Sequence, residues 1–293
     1  MDVNQLCHFA LSELDDNVMP FWLSYVKDCG SERMIGTVDF FGEPDDKASI
    51  SVILLCRVLW SLCAYYRKGG TRKTPGADGN SKNEKSTTII DTAPYLKAAK
   101  NVHHFLLEYC VDSTTGFFYE QVKLNKKSNE KHNEKLRSIA LGQEKRFIPC
   151  SESCFKTLTQ SYAIYALAEF FGATSVQKDL DQVLTLVGRL ESATRRGTHS
   201  FYSSAILIEN EMCDDQLSNI EETQFNSNHI DTRCQMHLVE AYTCLLRVHF
   251  DKHVHFLLMN LLKSFTTCIY RYAQDYFPLS INQSGQTLSL IHI

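Results

Sequence analysis

The 293-residue sequence has no run of about 18 uninterrupted apolar residues, the length that a membrane-spanning helix requires. Its opening stretch, Met1 to Asp15, carries acids and lacks the basic segment and apolar core of a secretory signal. Net charge is only −4, which gives no reason to expect nucleic acid or an anionic membrane as partner. Strand-like alternation is scarce, and no period of 20–50 residues recurs, which ranks a helical-repeat scaffold last. Tryptophan occurs only as Trp22 and Trp60, both near the N-terminal end.

Hydrophobic residues make up 44%, enough for the core of one large domain or two small ones. The 11 cysteines are odd in number and scattered, a pattern that fits free thiols in a reducing compartment. A cytoplasmic location is expected. Cys150 and Cys154 form a C-x3-C pair, but zinc needs two more ligands at matching spacing, so no metal is expected and no other cofactor is called for.

The apolar pattern is helical throughout. Leu6 to Val26 reads as a helix broken near Pro20. Ser49 to Tyr66 repeats Ile50, Ile53, Leu54, Val58, Leu59 and Leu62 at threes and fours. Pro94 suits a helix start before Tyr95 to Tyr109. Phe155 to Phe171 is apolar or small all round and predicts a buried helix. Leu180 to Leu190 is amphipathic, and Asp231 to His249 and Lys252 to Tyr272 complete the series, with Asp251 as a cap for the latter. Gly116 to Tyr119 and Ser200 to Ser203 are read as small aromatic β-hairpin pieces. Gly69 to Asp91 and Lys123 to Ser153 are polar and charged and read as mobile loop insertions.

One segment carries chemistry. On a helix through Asp231 to Tyr242, His237 and Glu240 lie three residues apart and share a face. An imidazole beside a carboxylate is an acid/base device. Arg57 lies among Leu54, Leu55, Val58 and Leu59, so it needs a buried partner or a ligand. The other histidines are weaker candidates. His249 and His253 are separated by a turn at Phe250 to Lys252, and the adjacent His103 and His104 point in different directions.

Four segments, in order, resemble the N-acylglucosamine 2-epimerase and cellobiose 2-epimerase superfamily, and its cellobiose and mannose branch in particular. Asn17 to Leu23 is similar to the family's opening helix. Leu55-Cys56-Arg57-Val58-Leu59-Trp60-Ser61 resembles "N-A-R-x-L-W-x". Gln160-Ser161-Tyr162-Ala163-Ile164-Tyr165-Ala166-Leu167-Ala168-Glu169-Phe170 resembles "Q-A-F-A-I-Y-A-L-A-E-Y". Met236-His237-Leu238-Val239-Glu240-Ala241-Tyr242 resembles the end of "N-T-H-L-H-x-x-E-A-Y".

The resemblance implies an all-α fold, an (α/α)6 barrel or toroid with a sugar pocket at one end. It implies a mono- or disaccharide substrate, epimerised at C2 through an enediolate. His237 becomes one of two catalytic histidines, with Glu240 beside it and Arg57 on sugar oxygens. A homodimer is the candidate assembly. The alternative is a non-catalytic toroid that binds sugar or protein.

Departures from the pattern accompany the match. Lys156 stands at the histidine of "H-x-Y-x-Q", and Gln235 at the first histidine of "H-L-H". With so few tryptophans, Phe118, Tyr119, Phe201 and Tyr202 are left to line a sugar pocket. Substrate binding is therefore assigned to Arg57, Lys156, Tyr119 and Tyr202. Twelve helices with their connections need roughly 350–400 residues, and about seven are legible. The region "G-H-D-x-E-x-x-W-L", which would bring the second histidine, has no counterpart. Residues 1–275 are read as a partial toroid with insertions at 69–91 and 123–153. Residues 276–293 are read as a non-native-looking tail, with Ser289 to Ile293 similar to translated sequencing adaptor. Such an incomplete ring is expected to be poorly stable and inactive, and to expose Val52, Leu59 and Leu167.

Overall fold

A computed structural model describes residues 2–27, 34–45, 47–73, 87–125, 146–151, 154–194, 199–207, 230–270, 276–282, 284 and 286–292. The chain starts with α1 (Val3–Glu13), a π turn (Leu14–Val18) and α2 (Met19–Lys27). Asp2 and Gln5 form a reciprocal capping box at the start of α1. The wide turn ends just before Pro20, which has no N–H to continue the ladder, so the break falls where the proline places it.

Three helix pairs follow: α3 (Val52–Lys68) with α4 (Ala93–Tyr109), α5 (Thr157–Thr174) with α6 (Gln177–Thr194), and α7 (Thr232–Val248) with α8 (Lys252–Ser264). The first member of each pair is inner. Helix α5 packs on α3 on one side and α7 on the other, with α6 behind it. Helix α2 lies against α4 in the outer layer. Among the described residues this is an arc of an α/α toroid, and no helix is long and apolar enough to cross a membrane.

Local sequence explains each start. Ser51, Asp231 and Asp251 accept backbone N–H groups at the starts of α3, α7 and α8. Helix α5 is buried around nearly its whole circumference, as its composition predicts, because it is the central helix.

The aromatic turns form only single bridges. Phe118 pairs antiparallel with Val111, with Tyr119 N–H donating to Cys110 C=O and Asp112 N–H to Phe117 C=O. Longer strands begin just beyond the turns, at β4 (Gln121–Leu124) and β7 (Ala205–Leu207). A side-chain clasp holds each turn to an inner helix. Gln160 Oε1 accepts from Phe118 N–H and its Nε2 donates to Phe118 C=O, both at 2.8 Å. Gln235 treats Tyr202 identically, at 3.1 and 2.9 Å. Each glutamine is three residues past its helix start (157 to 160, 232 to 235) and fully buried. An amide side chain thus supplies the pairing a neighbouring strand would have supplied.

The remaining strands are short. β1 (Ile50–Ser51) pairs with β4, which pairs with β5 (Phe147–Pro149). β6 (Cys154–Lys156) pairs with β7. The insertion at 69–91 begins and ends as a hairpin, β2 (Gly70–Lys73) with β3 (Thr87–Ile90), and β4 and β5 flank the second. The centres of both insertions lie outside the described residues. Beyond residue 275, β9 (Tyr276–Ile281) pairs with β8 (Ile230–Asp231) and with β10 (Thr287–His292), and Ile281 is fully buried. The packed core therefore extends past the boundary read at 275.

The surface expected to be exposed is not. Val52, Leu59 and Leu167 are buried, because α5 covers α3 and is itself covered by α6 and α7. Exposed apolar side chains instead include Val3, Leu6 and Phe9 on α1, Phe256 and Met259 on α8, and Phe40 and Phe41 in the loop before β1.

His104 pairs with Glu108 on the surface, but His103 is partly buried and stacked on Phe170 at 4.0 Å between ring centroids. Its Nε2 is 3.9 Å from Asp179 Oδ1 and has no hydrogen-bond partner among the described residues. Burial lowers its pKa from 6.5 to about 4, against the opposing pull of Asp179.

Two measurements test this packing. Gln160→Ala leaves both Phe118 backbone groups buried and unpaired, so urea unfolding is expected to show a loss of roughly 2–4 kcal/mol. The unfolded chain protonates His103 below its ordinary pKa while the folded chain resists until about pH 4. Stability is therefore full above pH 6.5 and falls as pH drops through that window, by on the order of 3 kcal/mol. His103→Phe should flatten this loss between pH 7 and 4.5, and an unchanged slope would show that the group is not responsible.

Candidate active site

The inner helices share one register. Arg57, Tyr162 and His237 each lie five residues past the first residue of their helix (52 to 57, 157 to 162, 232 to 237). Trp60, Tyr165 and Glu240 follow three residues later, and Ala64, Glu169 and Cys244 four beyond those. Arg67, Gly172 and Arg247 complete the series after three more. Steps of three, four and three keep all of these on one helix face, so three parallel helices stack them in rows.

The first rows form a hydrogen-bonded chain. Arg57 Nη2 donates to the Tyr162 hydroxyl at 2.6 Å, and its guanidinium also lies 4.9 Å from the Tyr162 ring centroid. The Tyr162 hydroxyl meets His237 Nε2 at 3.2 Å, and His237 Nδ1 meets Glu240 Oε2 at 3.0 Å. Trp60 stacks on Tyr165 beside this chain, 5.1 Å between centroids and 12° between planes. Burial, with Glu240 and Glu169 nearby, pushes the Tyr165 hydroxyl far above its usual range, so it stays protonated.

Donor counting orders the protons of a neutral imidazole. The Glu240 carboxylate only accepts, so the ring hydrogen is on Nδ1 facing it. Nε2 is then an acceptor and takes the Tyr162 hydrogen, while the tyrosine oxygen accepts from Arg57, which only donates. Nε2 is the basic nitrogen, and Glu240 is placed to stabilise the imidazolium that forms when Nε2 takes a proton. The His237 side chain is 32% exposed and that of Glu240 54%, so the pair is open to a solute.

The last two rows are built for cohesion. Glu169 is buried and accepts from Arg67 at 2.6 Å and also from Arg247. It thereby ties α5 to α3 and α7. Gly172 makes room for this, because a Cβ there would meet Arg67 Nη1 and Val248 Cγ1 at 2.8 Å. Cys244 lies against Glu169, and burial with that carboxylate pushes its thiol up to about 11, leaving it neutral.

Of the residues singled out in the sequence, Arg57, His237 and Glu240 come together. Lys156 does not join them; its Nζ donates to Glu120 Oε1 at 2.8 Å. The Tyr119 hydroxyl donates to Asp112 Oδ1 at 3.2 Å. Tyr202 is 1% exposed, and its hydroxyl donates to Glu191 on α6 while accepting from Tyr242. In this arrangement it offers no surface to a solute. Sequence reading passed over Tyr162. The available signal was a tyrosine where the similar segment "Q-A-F-A" has phenylalanine. Among the described residues, no cluster of three or more His, Cys, Asp or Glu could hold a metal.

No protein-family model matches the chain. In sequence it is 24% identical over 255 residues to a cellobiose 2-epimerase of Bacteroides fragilis, covering 87% of this chain and 53% of that protein. The chain thus spans about half the length of the curated relative it matches. In structure it resembles the cellobiose 2-epimerase of Bacillus thermoamylovorans, with a TM-score of 0.69 and 21% identity over 98% of this chain and 62% of that one. A D-mannose isomerase superposes with a TM-score of 0.63 at 11% identity, over 94% and 58% of the two chains. A family 76 α-mannanase of Bacteroides thetaiotaomicron superposes at 0.56, with 12% identity over 92% and 60%.

The fold is therefore part of the α/α barrel that sugar epimerases and these glycoside hydrolases share. In sequence and in fold the chain is thus similar to cellobiose 2-epimerases.

The two glutamates should respond differently to mutation. Glu169→Ala strips a buried carboxylate from two arginines and is expected to cost roughly 3 kcal/mol in urea unfolding. Glu240→Gln breaks an exposed pair and should cost under about 1 kcal/mol. Equal losses at the two sites would contradict the division between cohesion and chemistry.

Proposed function

We propose that this chain carries a deprotonating face of a sugar 2-epimerase or aldose–ketose isomerase acting on a mono- or disaccharide. The observation that supports this reading is the continuous chain Arg57–Tyr162–His237–Glu240, with a basic nitrogen at its centre and an arginine two contacts away. The hydrogen on C2 of a ring-opened aldose is acidified by the neighbouring carbonyl. His237 Nε2 takes that proton, the C–H electrons form a C1–C2 double bond, and the carbonyl π electrons move onto oxygen to give an enediolate. Arg57 stabilises the charge on oxygen, and Glu240 stabilises the imidazolium through Nδ1–H. Return of the proton to the same face restores the sugar. Delivery to C1 gives a ketose, and delivery to the opposite face of C2 gives the epimer, which requires a second acid.

The test is deuterium wash-in at C2 of cellobiose, mannose and glucose, followed by proton NMR in D2O. Exchange needs only the one base, so it is expected with the wild-type chain although net epimerisation, which needs a second acid, is not; His237→Asn should slow exchange by about 10²- to 10⁴-fold. Measurable sugar binding with no exchange would instead favour the non-catalytic, sugar-binding toroid.

A further inference from the structure

We propose that Tyr162 is the positioning residue of this site: its hydroxyl holds Arg57 and His237 at substrate spacing and holds His237 in the Nδ1–H form. This rests on the proton transfer proposed above, but it has a readout that does not depend on turnover.

The geometry leaves the hydroxyl little freedom. The Tyr162 side chain is on α5, the central helix, and the residue is only 6% exposed. Its ring is wedged edge-on against Tyr165, 6.3 Å between centroids at 89°, and tilted against His237 at 4.7 Å. The oxygen therefore sits at a fixed point between the guanidinium and the imidazole. It accepts from Arg57, which has no lone pair to offer, and with the Nδ1 hydrogen held by the Glu240 carboxylate its own hydrogen goes to Nε2. Glu240 holds the other ring nitrogen as a donor. Two partners of opposite demand thus orient one imidazole, and neither alone would fix both its rotation and its tautomer.

The same oxygen sets a distance. One oxygen bridges the Arg57 and His237 nitrogens, at 2.6 and 3.2 Å, so both groups reach toward a common point. That spacing suits an arginine on the carbonyl oxygen and a base at the adjacent carbon. Its bond to Nε2 is the longer of its two, 3.2 Å against 2.6 Å to Arg57, so Nε2 is the partner more readily released to a substrate.

Long-range proton–nitrogen NMR of the full chain tests this directly. The neutral His237 ring should show hydrogen on Nδ1, and an Nε2–H ring in the wild type would overturn the proposal without any variant. Tyr162→Phe keeps the buried ring and removes only the hydroxyl, so the unprotonated Nε2 resonance should move downfield as its donor is lost. An unmoved resonance would also overturn it. In C2 wash-in, the same variant should lower kcat by about 10- to 100-fold with little change in KM. Unchanged kcat would refute the positioning role. If the wild type shows no wash-in, the proposed reaction fails, while the NMR result still decides whether Tyr162 orders His237.

Discussion

The shared register of three parallel inner helices is the constraint on which the site depends. Two buried amides set it for α5 and α7. Gln160 and Gln235 each clamp the backbone of the preceding aromatic turn, so each helix starts at the same height relative to that turn. A slip of one residue would break two buried backbone hydrogen bonds and rotate the helix by about 100°. With the starts fixed, residues at equal depth on different helices become neighbours. Arg57, Tyr162 and His237 meet for that reason, though 105 and 75 residues separate them in sequence (162 − 57 and 237 − 162).

The rows divide the labour along the helix axis. Near the helix N-termini the side chains are partly open and linked by hydrogen bonds that can change partners. Near the C-termini, Glu169 is buried under two arginines and holds the three helices together. Chemically similar carboxylates thus serve opposite ends. A half-exposed Glu240 can answer a charge appearing on His237, whereas an enclosed Glu169 is already committed. The rigid end gives the open end a stable frame, which matters because apolar side chains on α1 and α8 are exposed.

The departures noted in the sequence have structural meanings that differ from one another. Gln235, standing at a histidine of the matching pattern, is a clasp. Lys156, at another, pairs with Glu120 near the start of α5. Tyr202 looked like a sugar-stacking aromatic but is a core residue whose hydroxyl ties α7 and α6 together through Tyr242 and Glu191. Tyr162, which drew no attention, is at the centre of the site. Aromatic content was legible, but the direction in which each ring faces was not.

Local rules were sufficient for a good deal. The helical series follows from apolar spacing, the break before Pro20 from a missing N–H, and the starts of α3, α7 and α8 from Ser51, Asp231 and Asp251. The pairing of His237 with Glu240 follows from helix geometry alone, because a separation of three residues is a local fact. Long-range neighbours were not accessible in that way. The repeat is one of three-dimensional register, and insertions of unequal length hide it from any fixed period. Only tertiary packing could bring Arg57 and Tyr162 to His237, bury Val52, Leu59 and Leu167, and turn two glutamines into clasps on the aromatic turns. Those outcomes depend on which surfaces meet, and spacing along one chain segment carries no information about the surface opposite.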